Sequence, residues 1–231
     1  MAKLNKKPIH RTIVIAPHPD DELLGCGGTL LRRGHEGSVL AWVIVTSMHE
    51  SSGFSARSIQ SRAEEVEKVR AGLKISKKNL YELNFPTTAL DIIPLSKIIE
   101  SISHVFEEFQ PNEVFVPHFG DAHSDHRIVF NAVAACTKWF RYPSISSVLA
   151  YETPSETDHA LSQNDAFVAN KYVDIEHHIK SKLELLRVYK SELGKYPFPR
   201  SINSIKALSQ VRGSQSGFIA AEAFHILKDR S

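Results

Sequence analysis

The sequence has few cysteines, no long apolar run and no excess of charge of either sign. Its two cysteines, Cys26 and Cys136, cannot form a CxxC zinc knuckle and do not indicate a disulfide framework. The first apolar stretch ends after about five residues, too short for a signal-peptide core or a membrane span. Lys and Arg number 28 against 26 Asp and Glu, a net charge of +2, and no long basic run suggests nucleic acid. We therefore expect a cytoplasmic protein that binds a small molecule, with neither a membrane nor nucleic acid as partner.

The chain of 231 residues instead alternates short apolar, β-branched runs with helical segments. Strands are predicted at 12–16, 39–46, 80–85, 113–116 and 148–151, with an edge strand near 167–173. A glycine-rich helix follows the first strand, and further helices are predicted at 61–73, 94–109, 125–139, 179–193 and near 220–227. Because parallel strands need helical crossovers, this order predicts an α/β fold with a doubly wound, mostly parallel sheet. We expect one domain over 1–231, in which 175–231 forms a C-terminal helical wall or cap.

Two polar clusters directly follow predicted strands. The first, HPDDE at 18–22, comes after strand one, and the second, DAHSDH at 121–126, comes after strand four. In a doubly wound sheet of order 3-2-1-4, strands one and four are neighbours, and ligands bind in the crevice at their carboxyl ends. The two clusters, far apart in sequence, are therefore predicted to face each other across one cleft.

The residue types in these clusters predict a metal site. His18, Asp21 and His126 supply two imidazoles and one carboxylate, a ligand set that hydrolytic zinc uses with water in its open position. Asp20, whose side chain diverges from that of its neighbour, could take the proton from the metal-bound water as general base. The predicted chemistry is attack of that water on an amide carbonyl.

Two further residues of the second cluster are predicted to assist. His123, when protonated, could donate to the oxyanion or to the leaving nitrogen. Asp125 could orient a ligand imidazole without binding the metal itself. The competing interpretation is that the first cluster only caps the following helix. Capping explains one carboxylate, but it does not explain three carboxylates together with a histidine. A His/Asp/His set also suits Fe(II) oxygenases, but their HxD pairing on a β-barrel does not match this α/β pattern.

The same strings resemble the motifs of a known family. APHPDDE at 16–22, continuing to GCGGT at 25–29, resembles the signature of the PIG-L/LmbE-like zinc deacetylases, and HSDH at 123–126 resembles their second motif. The resemblance implies a Rossmann-like fold, and zinc, or another divalent metal such as Fe2+, on His18, Asp21 and His126. It also implies Asp20 as general base, His123 near the oxyanion, and substrates that contain N-acetylglucosamine or a related sugar. Some family members are trimers or hexamers, so a homo-oligomer is expected by resemblance.

The likeness extends along the whole chain. Arg62, which precedes Glu65, matches a family position where an arginine often contacts substrate, and Arg200 and Arg212 lie in stretches that resemble bacterial members. All three are predicted to bind substrate, although Arg62 could equally form a surface pair with Glu65. Phe198 stands where many members have a histidine, which leaves the identity of the sugar open.

The sequence therefore predicts a metal-dependent hydrolase that removes the acetyl group from an N-acetylated amino sugar or its conjugate. One alternative is an amidase acting on a thiol-sugar conjugate or another amide, which would use the same residues. The other is a noncatalytic sugar- or metal-binding module, but such a module has no need for the base Asp20.

Overall fold

The computed structural model describes residues 9–230, which form a seven-stranded sheet with helices packed on it. The strands are β1 (Arg11–Ala16), β2 (Val39–Ser47), β3 (Leu80–Pro86), β4 (Glu113–Pro117), β5 (Ser147–Tyr151), β6 (Lys171–Asp174) and β7 (Ala221–Asp229). The longer helices are α1 (Asp21–His35), α2 (Ala56–Gly72), α3 (Leu95–Phe109), α4 (Ser124–Ala135), α5 (Ile179–Leu186) and α6 (Ile202–Ser216). Within the described residues, no helix has both the length and the apolar character needed to cross a bilayer.

The strands lie in the order β3-β2-β1-β4-β5-β7-β6. The pairs among the first five strands are all parallel, while β7 runs antiparallel to both β5 and β6. Strands β1 and β4 are direct neighbours, with Thr12 opposite Glu113. The predicted α/β fold with a mostly parallel, doubly wound sheet is therefore confirmed, and the crevice falls where the two polar clusters were expected to meet.

Side chains of the sheet alternate between two cores, one on each face. In β1, Val14 and Ala16 join a core that includes side chains of α1, α2, α5 and α6. Ile13 and Ile15 point the other way into a core formed with α3 and α4. Because strands buried on both faces must be apolar at successive positions, the continuous run at β1 was a sound indicator of a central strand.

The helix predicted near 220–227 is wrong, because this segment is the strand β7. Its composition, AEAFHIL, is rich in helix formers, which explains the prediction. In the structure the segment lies between β5 and β6 and hydrogen-bonds to both. Tertiary pairing of the backbone on two sides outweighs helix propensity here, and the C-terminal part of the chain thereby joins the sheet instead of forming helices alone.

Helix ends in the second half of the chain also differ from the predictions. Helix α4 ends at Ala135 instead of near 139, β6 covers 171–174 instead of 167–173, and α5 ends at Leu186 instead of near 193. Helix α6 was not predicted, although Ser201 caps its first turn by accepting from Ser204 N–H at 3.1 Å. It ends at Gly217, whose φ of 78° is the left-handed conformation that favours glycine after a helix.

Gly25→Ala is expected to destabilise the protein by about 1–3 kcal/mol, because the helix α1 packs directly on a buried ring. A Cβ at Gly25 would lie 2.2 Å from Tyr151 Cδ2, and the tyrosine is itself fully buried. Gly34→Ala, in the same helix, is the control, since its Cβ would meet only Leu40 Cδ1 at 3.3 Å. Urea unfolding of both variants measures the difference, and equal midpoints would contradict the packing argument.

Candidate active site

A cleft of about 520 Å³ opens at the carboxyl ends of β1, β2, β3 and β4. It contains both polar clusters, as the strand order predicted. The side chains around it that carry polar or charged groups include His18, Asp20, Asp21, Thr46, His49, Arg62, Glu82, Asn84, Thr88, His123, His126, Thr153, Glu156, Glu192 and Arg200.

Three of the predicted ligand atoms converge on one point in this cleft. Asp21 Oδ2 lies 3.3 Å from His18 Nδ1 and 3.3 Å from His126 Nε2, and all three atoms lie within 4.8 Å of one another. A tetrahedral zinc site with bonds of about 2.0–2.1 Å requires ligand atoms about 3.4 Å apart. The donor set and its spacing therefore fit a single zinc ion.

Each of the two imidazoles is hydrogen-bonded to a carboxylate through its second ring nitrogen, the one that does not face Asp21. Asp125 Oδ2 accepts from His18 Nε2 at 3.2 Å and from the backbone N–H of Thr88 at 2.8 Å. Asp121 Oδ2 accepts from His126 Nδ1 at 2.8 Å. Each carboxylate thereby places the ring proton on the far nitrogen and leaves the nitrogen that faces Asp21 free to bind a metal. The expectation that Asp125 orients an imidazole agrees with this geometry.

The electrostatics of the cluster favour positive charge. Burial disfavours charged imidazoles, but Asp125 and Asp21 raise the pKa of His18 to about 9. Burial likewise opposes the charge of His126, yet Asp21 and Asp121 raise its pKa to about 10. For Asp21 burial is also outweighed, and His126 and His18 hold its pKa well below the usual range. In the metal-free site the imidazole nitrogens that face Asp21 therefore hold protons, and a divalent cation attracted by the same carboxylates would displace them on binding.

Asp20 is held in a strained conformation at the start of α1. Its φ of 130° is a backbone region that non-glycine residues rarely adopt. The carboxylate of Glu22 supports it by accepting the Asp20 N–H at 3.0 Å, and Tyr189 donates its hydroxyl to the same carboxylate at 3.1 Å. Glu22 and Tyr189 are buried, so the turn that presents Asp20 to the cleft is fixed from inside the core.

The carboxylate of Asp20 lies in surroundings that suit a base. Burial, with the negative charges of Asp21 and Glu192, raises the pKa of Asp20 to about 8, while Arg200 opposes the shift. Arg200 donates to Asp20 Oδ2 at 3.2 Å. A carboxylate whose pKa is brought near neutrality is a stronger proton acceptor than an exposed aspartate.

His123 caps α4 and faces the two histidine ligands. Its Nδ1 accepts the backbone N–H of Asp125 at 3.1 Å, so Nδ1 carries no proton and Nε2 is the donor. Burial, together with His18 and His126, lowers the pKa of His123 to about 4. The structure favours a neutral imidazole that donates through Nε2 over the protonated acid of the sequence-based expectation.

Of the three arginines predicted to bind substrate, two line the cleft and one does not. Arg62 and Arg200 both line the cleft, and both contact the carboxylate of Glu192. Arg212 does not line it; its Nε donates to Glu152 Oε1 at 2.8 Å beside a second cavity. Its ion pair with Glu152 satisfies the guanidinium within the protein.

Several contributors to the site were not predicted from the sequence. Asp121 belongs to the second cluster but had no assigned role. Tyr189 and Glu192 lie in YKSEL at 189–193, which resembles bacterial family members, but neither was given a role, and Thr88 comes from a segment without any motif. The one available signal was that Asp121 belongs to the same short polar string as His126, which keeps the two residues close in space. The other three reach the site only through tertiary packing.

Comparison with known proteins connects this site to a family. Residues 13–137 match the family described as PIG-L: GlcNAc-PI de-N-acetylase. The uncharacterized deacetylase YaiS of Escherichia coli K12 is 30% identical over 186 residues, which cover 78% of this chain and 90% of that protein.

Solved structures with the same fold have lower sequence identity. N,N'-diacetylchitobiose deacetylase from Pyrococcus horikoshii superimposes with a TM-score of 0.74 at 23% identity, covering 94% of this chain and 84% of its own. GalB, the 4-carboxy-2-hydroxymuconate hydratase from Pseudomonas putida KT2440, reaches a TM-score of 0.73 at 14% identity, covering 96% and 98%. At these identities the likeness establishes the fold, which evidently hosts more than one reaction.

Proposed function

The chain belongs to the PIG-L de-N-acetylase family, and we propose that it is a zinc-dependent hydrolase that removes the acetyl group from an N-acetylated amino sugar or its conjugate. The observation that carries the proposal is the convergence of His18, Asp21 and His126 on one point beside the buried carboxylate of Asp20. Amide hydrolysis needs an activated water, a proton acceptor and a donor for the oxyanion, and the cleft offers groups for each role.

His18, Asp21 and His126 would hold the metal, with Asp125 and Asp121 fixing the two imidazoles. A divalent ion there would supply Lewis acidity, which activates water as a nucleophile and polarises an amide carbonyl. Fe2+ suits the same donors, because imidazole and carboxylate ligands bind iron as well as zinc.

The residues of the chain carry the proton transfers. Asp20 takes a proton from the attacking water, because its environment makes it a good acceptor near neutral pH. His123 donates through Nε2 to the oxygen that becomes negative in the transition state. The protonated Asp20 then gives its proton to the leaving nitrogen as the C–N bond breaks, which releases the free amine and acetic acid, and the acid ionises to acetate.

The size and lining of the cleft suit one sugar ring with its acetamido group. About 520 Å³ falls within the range of small-ligand sites. Arg62 and Arg200 lie at its rim, paired with Glu192, and either guanidinium could meet sugar hydroxyls. Arg212 would contact a substrate only if that substrate extended into the second cavity.

The test is acetate release from a panel containing N-acetylglucosamine, N,N'-diacetylchitobiose, an N-acetylglucosaminide with an apolar aglycone and a thiol-sugar amide. Release from the sugars supports the proposal, and preference for the last compound favours the amidase alternative. A protein that binds zinc and these sugars but hydrolyses none would be a noncatalytic module.

Removal of the metal is expected to abolish acetate release, because Asp20 can accept a proton but cannot replace the Lewis acidity that a divalent ion would supply to the water and to the amide carbonyl. Protein dialysed against a chelator should regain most of its activity when one equivalent of Zn2+ is added. It should regain none with Mg2+, because Mg2+ prefers oxygen ligands. Full activity in metal-free protein, verified by elemental analysis, would rule out the proposed mechanism.

A further inference from the structure

The segment 152–157, which follows β5, contributes to the walls of two cavities. Thr153 and Glu156 line the catalytic cleft, whereas Glu152, Thr153 and Thr157 line a neighbouring cavity of about 630 Å³. The segment is also tied to the second polar cluster, because Ala122 N–H donates to the carbonyl of Glu156 at 3.2 Å. This segment is therefore in direct contact with the turn that supplies His126.

The hydroxyl of Thr157 connects the segment 152–157 to a side chain of the second polar cluster. Thr157 Oγ1 lies 2.6 Å from Asp121 Oδ1, and it accepts the backbone N–H of Thr153 at 2.7 Å. Because the hydroxyl oxygen already accepts the N–H of Thr153, the hydroxyl proton is available to Asp121, and Thr157 donates to Asp121 Oδ1. The direction of the hydrogen bond is thus fixed by its surroundings.

Asp121 also hydrogen-bonds to the proposed metal ligand His126, so the position of the Asp121 carboxylate affects the orientation of that imidazole. The side chain of Asp121 is fully buried, and its other oxygen, Oδ2, accepts from His126 Nδ1 at 2.8 Å. The two oxygens of one carboxylate are therefore occupied by Thr157 on one side and His126 on the other. Without Thr157, Oδ1 would be a buried acceptor without a partner, and the carboxylate would be free to rotate toward another donor.

We propose that Thr157 is a positioning residue for His126, acting through Asp121, so that the segment 152–157 sets the metal affinity of the site. The inference rests on the proposed function only in that His126 must bind the metal. No motif marks Thr157, which begins a short 3-10 helix (Thr157–His159) 31 residues along the chain from the ligand that it supports.

The experiment compares Thr157→Val with Thr157→Ser. Valine keeps the shape but removes the donor, and we expect zinc to bind about 10–100-fold more weakly, as is usual when an outer partner of a ligating histidine is lost. Serine keeps the hydroxyl and should restore the affinity to within about threefold of wild type. Affinity is measured by competition with a chromogenic chelator, well below the melting temperature of each protein.

Two further variants separate positioning from general stability. Thr137→Val removes a threonine hydroxyl that bonds only to the Ala134 carbonyl at the other end of α4, and it should leave zinc affinity unchanged. In an Asp121→Ala background, Thr157→Val should add no more than a twofold loss, because its effect passes through the missing carboxylate.

The proposal is overturned if Thr157→Val binds zinc as tightly as wild type, or if its loss persists in full without Asp121. A lower melting temperature with an unchanged zinc affinity would also overturn it, since that is the signature of a merely structural hydrogen bond. Zinc binding by the wild type with no acetate release would refute the proposed activity instead and would leave this affinity measurement valid.

Discussion

Asp20→Asn is expected to lower kcat for acetate release about 10²–10⁴-fold, the usual contribution of a general base. Asparagine is nearly isosteric and can still accept from Arg200, but it cannot take a proton from water. Asp20 is not among the converging ligand atoms, so the zinc content should stay at the wild-type level. Steady-state kinetics and elemental analysis on the same preparation measure both quantities.

Asp158→Asn provides the matched control, because this exposed aspartate, which directly follows the segment 152–157, pairs with the neighbouring His159 and not with a group of the cleft. It should leave kcat and zinc content unchanged. An Asp20→Asn enzyme with kcat within twofold of wild type would remove Asp20 from the mechanism. Loss of zinc from that variant would instead identify Asp20 as a ligand.

His126→Ala is expected to lose its zinc and with it all measurable activity. The variant removes one of three ligands, so the loss of affinity should exceed the 10–100-fold typical of residues that only orient a ligand. It also leaves Asp21 and Asp121 buried without the imidazole that bridges them. Zinc-to-protein ratios after gel filtration measure the first effect, and acetate release measures the second.

His123→Ala is the matched comparison on the same turn. Because His123 is proposed to donate to the oxyanion, this variant should keep its zinc and lose about 10²–10³ in kcat. The comparison is decisive because His123, Asp125 and His18 form a second group of donor atoms within 4.8 Å of one another. If His123→Ala lost the metal while His126→Ala retained it, that second group would be the metal site.

The geometry also explains why the fold alone does not decide the reaction. Helices α1 and α4 follow β1 and β4 after short connections, and because the two strands are neighbours the starts of both helices lie at the cleft. A deacetylase and a hydratase both share the architecture. The chemistry depends on the side chains placed there, and in this chain they are three imidazoles and three carboxylates: His18, His123, His126, Asp20, Asp21 and Asp125.

Local sequence was sufficient for the features that depend on neighbouring residues. Continuous apolar runs at β1, β2 and β4 indicated buried parallel strands, and the polar strings after β1 and β4 indicated the two halves of the cleft. Strand order then followed from a general rule of doubly wound sheets, which brought His18 and His126 together without further information. The predicted ligand atoms converge for that reason.

Long-range packing decided the remainder. The segment 221–229 is a strand only because β5 and β6 present free edges on both of its sides, which no helix propensity could reveal. Glu192 lines the cleft from an irregular segment, while Tyr189 and Thr157 support it indirectly through Glu22 and Asp121. Arg212, which pairs with Glu152, lies outside the cleft. Hydrogen bonds between residues distant in sequence leave no periodic trace, so these contacts could be recognised only once the chain was folded.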